Sequence, residues 1–308
     1  MGILGVVFGG EWLMGMAVDG KKANLEKPVS YCSVCKRRPA VYFRVFSGDR
    51  LCLSCLRRQL VRGVKRSVGR TGVFKPRSKI MVPLSLIDPL ASLGLADIMA
   101  RLERDYGSMV VLAVLSDQIR DVRGIEELRK LGVKVEEFNV DIDKYPIHML
   151  DCIRFERGIY IRIGAMLGVD AIASPLSRTQ LALAALDALL SGNPMYWSES
   201  LDYISSKPPV VAAFSLVEAE AVAAYAVLSG YRGESLCRAK FRSKRVFYSI
   251  SGRRPELEYS SSKTIEVLST AASRMLRRCT ICYGYSSSDT CMVCNYMGTG
   301  ALNIVKKA

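Results

Sequence analysis

The sequence predicts an α/β protein in which a parallel, helix-covered sheet lies between two small cysteine-rich modules. Short apolar runs alternate with amphipathic segments from Lys79 onward, and paired C-x-x-C motifs stand on both sides of that region. Strands and helices that alternate at this length form a Rossmann-like parallel sheet, whose ligands bind at the carboxyl ends of the strands. Paired C-x-x-C motifs are typical of zinc ribbons.

Composition indicates a folded, basic protein. The chain has 308 residues, 50% of them hydrophobic, which suffices for one large domain and small modules. Its 44 Lys and Arg residues exceed its 29 Asp and Glu residues, so the net charge is +15. This excess favours a polyanionic partner such as nucleic acid over a generally basic cytosolic protein. No charge-free run of 18 apolar residues occurs, so we expect no membrane span.

The N-terminus and the cysteines bear on the compartment. Residues 1–18 mimic a signal sequence, but they lack a basic start and contain Glu11. We expect residues 1–30 to be a disordered leader, or an over-extended start with Met14 or Met16 as the true initiator. Because the cysteines fall mainly in C-x-x-C pairs, we expect a cytoplasmic protein.

The first cysteine module is predicted to span residues 31–77. Four thiolates in two knuckles complete a closed tetrahedral zinc site. The predicted ligands are Cys32, Cys35, Cys52 and Cys55. A helix follows, with a buried stripe of Leu56, Leu60, Val61 and Val64. Its other face is basic and has no acidic residue, which favours phosphate contact over a merely solvated face. The residues predicted to bind nucleic acid are Arg57, Arg58, Arg62, Lys65 and Arg66, with Arg70 beyond them.

Residues 78–275 are predicted to form the α/β domain. A buried strand at residues 80–84 is followed by the turn Ser85–Leu90 and then by a helix with Leu93 and Leu102 on its apolar face. Further strands are predicted from Met109 and at residues 133–140, with a helix between them. Because the turn follows the first strand, we expect it to lie at the ligand crevice.

This turn lacks the residues that bind phosphate. A phosphate loop needs glycines, which adopt positive φ and let several N–H groups approach the anion. Leu86 and Ile87 are bulky, and Pro89 has no N–H. At positive φ, Leu86 and Ile87 would each cost on the order of 1–3 kcal/mol in strain. The sequence therefore predicts a retained fold and lost phosphate binding.

The rest of the domain continues the alternation. Helices and strands are predicted at residues 152–167, 169–173, 180–190, 210–214 and 218–228. The turn at residues 174–179 faces the same crevice and has no carboxylate for Mg²⁺. The basic segment 238–254 contains Phe241, Phe247 and Tyr248, which suits stacking on nucleic acid and equally suits a solvated edge hairpin.

The second cysteine module is predicted at residues 276–308. Its two C-x-x-C knuckles are again close in sequence and predict a second structural zinc site. The ligands are Cys279, Cys282, Cys291 and Cys294.

The order of these features resembles a known family. A C-x-x-C module with a basic helix, a parallel α/β domain, a cysteine after its third strand and a terminal C-x-x-C module resemble the archaeal and bacterial tRNA 2-thiolation enzymes of the PP-loop ATP pyrophosphatase superfamily. The most specific passages are AVYFRVFSGDRLCLSC and CTICYGYSSSDTCMVC. The resemblance covers the chain from about Tyr31 and implies tRNA as partner.

The resemblance also implies an ATP site, and this chain departs from it. The family's SGGxDS loop binds the pyrophosphate of ATP, which adenylates the uridine oxygen. Only Ser85 of that motif survives here, with Leu86 and Ile87 at the glycine positions, Pro89 at the aspartate and Leu90 at the second serine. The family's GHNxDD motif falls on residues 175–180 and is also lost. We therefore expect ATP to be absent.

The family further holds a [4Fe-4S] cluster on three cysteines. Cys152 and Cys237 match two of them, but Met149 occupies the third position. Because a thioether is a poor cluster ligand, we expect no intact cluster. His148, the only histidine, is adjacent to Met149 and is an alternative cluster ligand. A histidine in such a loop more often has no ligand role.

These inferences give one main hypothesis and one alternative. The main hypothesis is a cytoplasmic tRNA-binding protein with two structural zinc ions and no ATP chemistry, a non-catalytic partner or regulator that forms a homodimer or pairs with an active paralogue. The alternative is an active ATP-dependent tRNA sulfurtransferase with a remodelled loop that uses Cys152 and Cys237. A zinc-stabilised relic without a nucleic-acid role is a third interpretation.

Overall fold

The computed structural model describes residues 30–44, 47–251 and 256–307, without the side chains of residues 119–121 and 251. The predicted leader lies outside the described residues, apart from Ser30. The strands are β1 (Tyr42–Phe43), β2 (Arg50–Leu51), β3 (Lys79–Pro83), β4 (Met109–Leu115), β5 (Lys134–Val140), β6 (Ala171–Ser177), β7 (Val210–Phe214), β8 (Arg277–Arg278), β9 (Tyr285–Ser286) and β10 (Ile304–Lys306). The helices are α1 (Leu53–Gly69), α2 (Pro89–Glu103), α3 (Ile125–Lys130), α4 (Met149–Leu167), α5 (Arg178–Ser191), α6 (Ala219–Leu228), α7 (Lys244–Ser251), α8 (Leu257–Ala272) and α9 (Met292–Tyr296). Within these described segments, no helix is both long and apolar enough to cross a membrane.

Six strands form the central sheet, in the order β10–β5–β4–β3–β6–β7. The strands from β5 to β7 are parallel to their neighbours, and β10 pairs antiparallel with the β5 edge. The predicted α/β class with a mostly parallel sheet is confirmed. The chain runs from β3 outward to β5 and then crosses back to β6, so the strand order reverses between β3 and β6. That reversal places a crevice at the carboxyl ends of these two strands.

Helices cover both faces of the sheet and form an apolar core on each. In β3, Ile80 and Val82 face the core that includes α1, α2 and α6. Met81 faces the opposite core, which includes α4 and α5. A strand that is buried on both faces needs apolar side chains at every position, which is why β3 has no polar alternation.

The N-terminal cysteine module is joined to the α/β domain through α1. Leu56, Leu60 and Val64, each one helical turn apart, are buried as predicted, whereas Val61 is half-buried. The helix packs against β7 and α6. A Cβ atom at Gly63 would lie 2.5 Å from Cγ2 of Val217, so glycine permits this close approach.

Three predicted elements differ in the structure. β6 continues to Ser177 and α5 begins at the next residue, because Ser177 and Gln180 form a capping box that starts the helix directly after the strand. The turn predicted at residues 174–179 is therefore mostly strand. α4 begins at Met149, with His148 as its N-cap residue. The edge hairpin, one of the two alternatives for residues 238–254, is wrong for the described part, where α7 is a helix.

Candidate functional site

The loop after β3 lies at the crevice, as its position in the sequence predicts. Ser85 is buried, and its backbone N–H donates to Oγ of Ser92 at 2.8 Å. The N–H of Asp88 donates in turn to Oγ of Ser85 at 3.0 Å. These two bonds bend the chain into a compact turn whose remaining donors point toward α4.

A carboxylate from α4 occupies those donors. Oε2 of Glu156 accepts hydrogen bonds from Oγ of Ser85 and the backbone N–H of Leu86, both at 2.8 Å, and from the N–H of Ile87 at 3.3 Å. Glu156 is 7% exposed. One oxygen that accepts three donors from a loop after a strand has the environment of an oxygen of a bound anion. Nothing in the spacing of the sequence indicated that Glu156 would reach this loop.

The strain expected for Leu86 and Ile87 at positive φ does not arise, because neither residue is at positive φ. Among the described residues, the non-glycine residues at positive φ are Lys36, Arg77 and Tyr283. Leu86 and Ile87 therefore keep ordinary backbone conformations while their N–H groups still converge on one oxygen. The loop has no glycine, and its N–H donors converge nonetheless.

Asp88 adds a second carboxylate to the crevice. Its Oδ1 accepts the N–H of Ala91 at 2.9 Å and so caps α2, which begins at Pro89. Its Oδ2 accepts Nε2 of Gln180 at 2.9 Å. Burial raises the pKa of Asp88. Pro89 breaks no hydrogen bond within α2, because the first N–H groups of a helix have no partner within it, but it offers no N–H to an anion.

Burial raises the pKa of Glu156 to about 7, although the hydrogen bonds from Ser85, Leu86 and Ile87 act in the opposite direction. The neighbouring charge of Asp88 raises that pKa further. The turn predicted at residues 174–179 has no carboxylate of its own, but Asp88 and Glu156 supply two to the crevice.

The β6 end of the crevice is closed by internal bonds. Oγ1 of Thr179 donates to Oε1 of Glu258 at 2.8 Å and accepts the N–H of Ala219 at 3.2 Å. Arg178 forms ion pairs with Glu218 at 3.0 Å and with Glu258 at 2.5 Å. These partners tie α5 to α6 and α8, so the side chains at residues 178 and 179 serve structure.

Cys152 and Cys237 are brought together although 85 residues separate them in sequence. Their Cα atoms are 6.6 Å apart, and their side chains form a disulfide bond. Both are buried, and the Sγ atom of Cys152 lies 3.3 Å from the carbonyl oxygen of Pro146. The disulfide therefore joins the segment at residue 237 to the first turn of α4, the helix that carries Glu156.

Met149 lies in the same apolar core as the cysteine pair, whereas His148 is at the surface. Met149 is 9% exposed and belongs to the apolar core beneath α4. His148 is exposed, and its Nδ1 lies 3.1 Å from Nη2 of Arg242.

The first cysteine quartet can hold a metal ion. The four sulfur atoms, those of Cys32, Cys35, Cys52 and Cys55, lie within 4.8 Å of one another. The sulfurs of Cys35 and Cys52 are 3.8 Å apart, and a tetrahedral ion with bonds of about 2.3 Å requires a separation of about 3.8 Å. Burial raises the pKa of Cys32, but hydrogen bonds from the backbone at Cys35 and Cys52 hold it at about 6, below the ordinary 9.0.

The second quartet has the same architecture. Its sulfur atoms, those of Cys279, Cys282, Cys291 and Cys294, also lie within 4.8 Å of one another. The turns after Cys35 and Cys282 match: Lys36 and Tyr283 are at positive φ, and each donates its N–H to the carbonyl of the first cysteine, at 2.8 and 2.9 Å. The residue types in both quartets fit a closed tetrahedral metal site.

The second quartet is fastened to α4 by a buried ion-pair cluster. Nε of Arg157 donates to the carbonyl oxygen of Cys282 at 2.5 Å, and its Nη1 pairs with Glu199 at 2.9 Å. Nε of Arg154 pairs with the other oxygen of Glu199 at 2.8 Å. A Cβ at Gly284 would meet Nη2 of Arg157 at 2.9 Å, so glycine allows this contact. Sequence patterns gave no sign of this cluster.

The basic face of α1 is free on the surface. Arg58, Arg62, Lys65 and Arg66 are exposed, and Arg57 is half-buried. Within the described part of the chain, none of these five side chains has an ion-pair partner. Unpaired arginines on a helix without acidic residues can each contact a phosphate.

The second basic segment does not form a stacking surface from its phenylalanines. Phe241 is 9% exposed and Phe247 1%, and both belong to the core near α4 and α5. Only Tyr248 reaches the surface, where its hydroxyl donates to Glu220 at 3.0 Å. The alternation of aromatic and basic residues here reflects a helix with one buried side.

The strand order and the loop at the point of reversal define a Rossmann-like fold of the PP-loop type, with a cysteine quartet near each terminus. No protein-family model and no curated protein matches the sequence. Among solved structures, the fold is similar to that of the U34-tRNA thiolase NcsA from Methanococcus maripaludis with its [4Fe-4S] cluster, with a TM-score of 0.65 and 20% sequence identity. The similarity covers 88% of this chain and 96% of that chain. At this identity it establishes a shared fold.

Proposed function

We propose that this chain is a cytoplasmic tRNA-binding protein of the tRNA-thiolase family that has lost ATP-dependent chemistry. The observation that carries the proposal is the contact of Glu156 with Ser85, Leu86 and Ile87. An ATP pyrophosphate would have to displace this carboxylate from the same donors. It would also have to approach Asp88, and two like charges at close range in a buried crevice repel strongly.

The proposed tRNA contact is the exposed face of α1. Its supports are the unpaired side chains of Arg58, Arg62, Lys65 and Arg66 and the net charge of +15. The fold shared with a protein described as a U34-tRNA thiolase supports tRNA as the nucleic acid. Phosphate contacts of this kind give affinity that falls steeply with salt.

We propose zinc for both quartets and no iron–sulfur cluster. Closed sites of four thiolates with C-x-x-C spacing are typical of structural zinc. At the position expected for the cluster, only Cys152 and Cys237 offer thiolates, since Met149 offers a thioether. The modules at residues 31–77 and 276–308 would then be zinc fingers on either side of the domain at residues 78–275.

The role that fits these properties is that of a non-catalytic partner or regulator in tRNA modification, acting as a homodimer or with an active paralogue. A second candidate function is favoured by the proximity of Cys152 and Cys237. In that function the protein is an active ATP-dependent tRNA sulfurtransferase with a remodelled loop that uses Cys152 and Cys237.

ATP and tRNA titrations separate the two functions. The proposal predicts tRNA binding without saturable ATP binding, measured on the natural protein at low salt. ATP-dependent incorporation of sulfur into tRNA, lost when either Cys152 or Cys237 is replaced with Ser, would establish the second function instead.

A further inference from the structure

The loop after β3 is an anion-binding turn that already holds an anion. The anion is a side chain of the protein itself: Oε2 of Glu156 accepts hydrogen bonds from Oγ of Ser85 and from the N–H groups of Leu86 and Ile87. No residue of the loop is at positive φ. The converging donors are therefore a property of the backbone turn and its internal bonds.

Those internal bonds join groups other than the carboxylate of Glu156, although the N–H of Ile87 is shared between Ser85 and Glu156. The N–H of Ser85 is held by Ser92, and Oγ of Ser85 accepts the N–H groups of Ile87 and Asp88 at 3.1 and 3.0 Å. On its other side, the carbonyl oxygen of Leu86 accepts the N–H of Cys237 at 2.9 Å. The turn thus has its own supports and would keep its shape if the carboxylate were removed.

The surroundings of Glu156 offer space and positive charge. A cavity of about 40 Å³ lies beside its side chain, with Ile87 and Tyr160 in the wall. Arg157 lines the same cavity and is 7% exposed. Its Nη2 is buried and has no hydrogen-bond partner among the described residues. A buried cation with a spare donor that lines the same cavity as Ile87 would favour a tetrahedral oxyanion there once the carboxylate is removed.

We infer that Glu156 is a built-in substitute for a phosphate ligand, and that removing its carboxylate opens a site for inorganic phosphate or pyrophosphate on Ser85, Leu86, Ile87 and Arg157. This goes beyond the proposed function, which requires only that the natural protein does not bind ATP. On this inference, one internal side chain closes the phosphate site, and the loop itself remains competent.

Pyrophosphate binding to three proteins tests the inference. E156A shortens the side chain and opens the site. E156Q removes the negative charge but keeps the site filled by a side chain. The natural protein keeps both the charge and the filled site. At a pH near 8, above the Glu156 pKa of about 7, calorimetry should show E156A binding pyrophosphate at least about tenfold more tightly than the other two proteins. The double variant S85A/E156A should lose this gain.

Equal affinity in E156A and the natural protein would overturn the inference, as would a gain that S85A leaves intact. If E156A is too unstable for calorimetry, pyrophosphate should stabilise its folded state. Its melting temperature should rise with pyrophosphate concentration, while that of E156Q stays constant. An E156A protein that remains unfolded in saturating pyrophosphate would also overturn the inference. Binding of ATP by the natural protein is a separate result, which would contradict the proposed function.

Discussion

The backbone N–H of Cys237 donates to the carbonyl oxygen of Leu86 at 2.9 Å, so the loop after β3 is bonded to the cysteine pair. The backbone of Leu86 is therefore bonded on two sides: its carbonyl accepts from Cys237, and its N–H donates to Glu156. Glu156 is one helical turn beyond Cys152, which is bonded to Cys237. The loop, α4 and the segment at residue 237 thus form one closed unit.

Glu156 should make stability depend on pH. Its pKa in the folded protein is about 7, above the ordinary 4.5, because it is buried. The folded state therefore binds this proton more tightly than the unfolded state does. The resulting stabilisation is fully present below pH 4.5 and is lost as pH rises through 7, by on the order of 3 kcal/mol. Urea unfolding at several pH values should show this loss in the natural protein and a flatter profile in E156Q. Identical profiles would contradict the assignment.

The buried carboxylate of Glu199 should be critical for stability. It pairs with both Arg154 and Arg157, and E199Q would leave two buried cations with one neutral partner. Breaking a buried pair in this way costs roughly 3–5 kcal/mol. Chemical unfolding of E199Q measures the cost. The exposed pair of Lys263 and Glu266 is the matched control, since E266Q should cost less than about 1 kcal/mol.

Elemental analysis should find two zinc ions per chain and no iron in protein purified without oxygen, because two complete quartets are present. Removing zinc with a chelator should lower the melting temperature, since each quartet is a folding unit of its module. About four irons per chain would instead indicate a cluster at Cys152 and Cys237.

The face of α1 should dominate tRNA binding. Replacing Arg58, Arg62, Lys65 and Arg66 with Ala should weaken binding by several kcal/mol at low salt and reduce the slope of log K against log salt by roughly three to four. Fluorescence anisotropy over a range of salt concentrations measures both quantities.

The matched control for α1 removes the same charge at the opposite sheet edge. Lys130, Lys134, Lys306 and Lys307 are exposed near β5 and β10, whereas α1 packs against β7. Replacing them with Ala should leave the salt slope nearly unchanged. A larger effect of this control set than of the α1 set would place the RNA site elsewhere.

The cysteine pair should stabilise the oxidised protein. A bond that closes a loop over 85 residues stabilises by about 4.6 kcal/mol in the chain-entropy model. C152S should therefore unfold at lower urea than the oxidised natural protein. In a reducing buffer, the free energies of unfolding of C152S and the natural protein should agree within about 1 kcal/mol. Equal stability without reductant would contradict the bond.

The strands and the quartets could be predicted from sequence because their signals are local. β4 and β7 coincide with the apolar runs at residues 109–115 and 210–214, and each quartet follows from the spacing of two knuckles. The state of the loop could not be predicted. Leu86 and Ile87, in place of the glycines that a phosphate loop needs, indicated that the backbone N–H groups would not converge. The turn is instead held by hydrogen bonds to Ser92 and to Oγ of Ser85. The ligand that fills it is 70 residues away, and a single buried glutamate on a helix has no pattern that reveals its partner.

ATP binding by the natural protein tests the central claim most directly. Calorimetry with ATP and Mg²⁺ at a pH near 8, where Glu156 is ionised, should show no saturable binding up to millimolar concentrations. The carboxylate holds the donors that the pyrophosphate needs, and Asp88 repels it. Micromolar binding that is abolished by S85A would contradict the account and establish a working nucleotide loop.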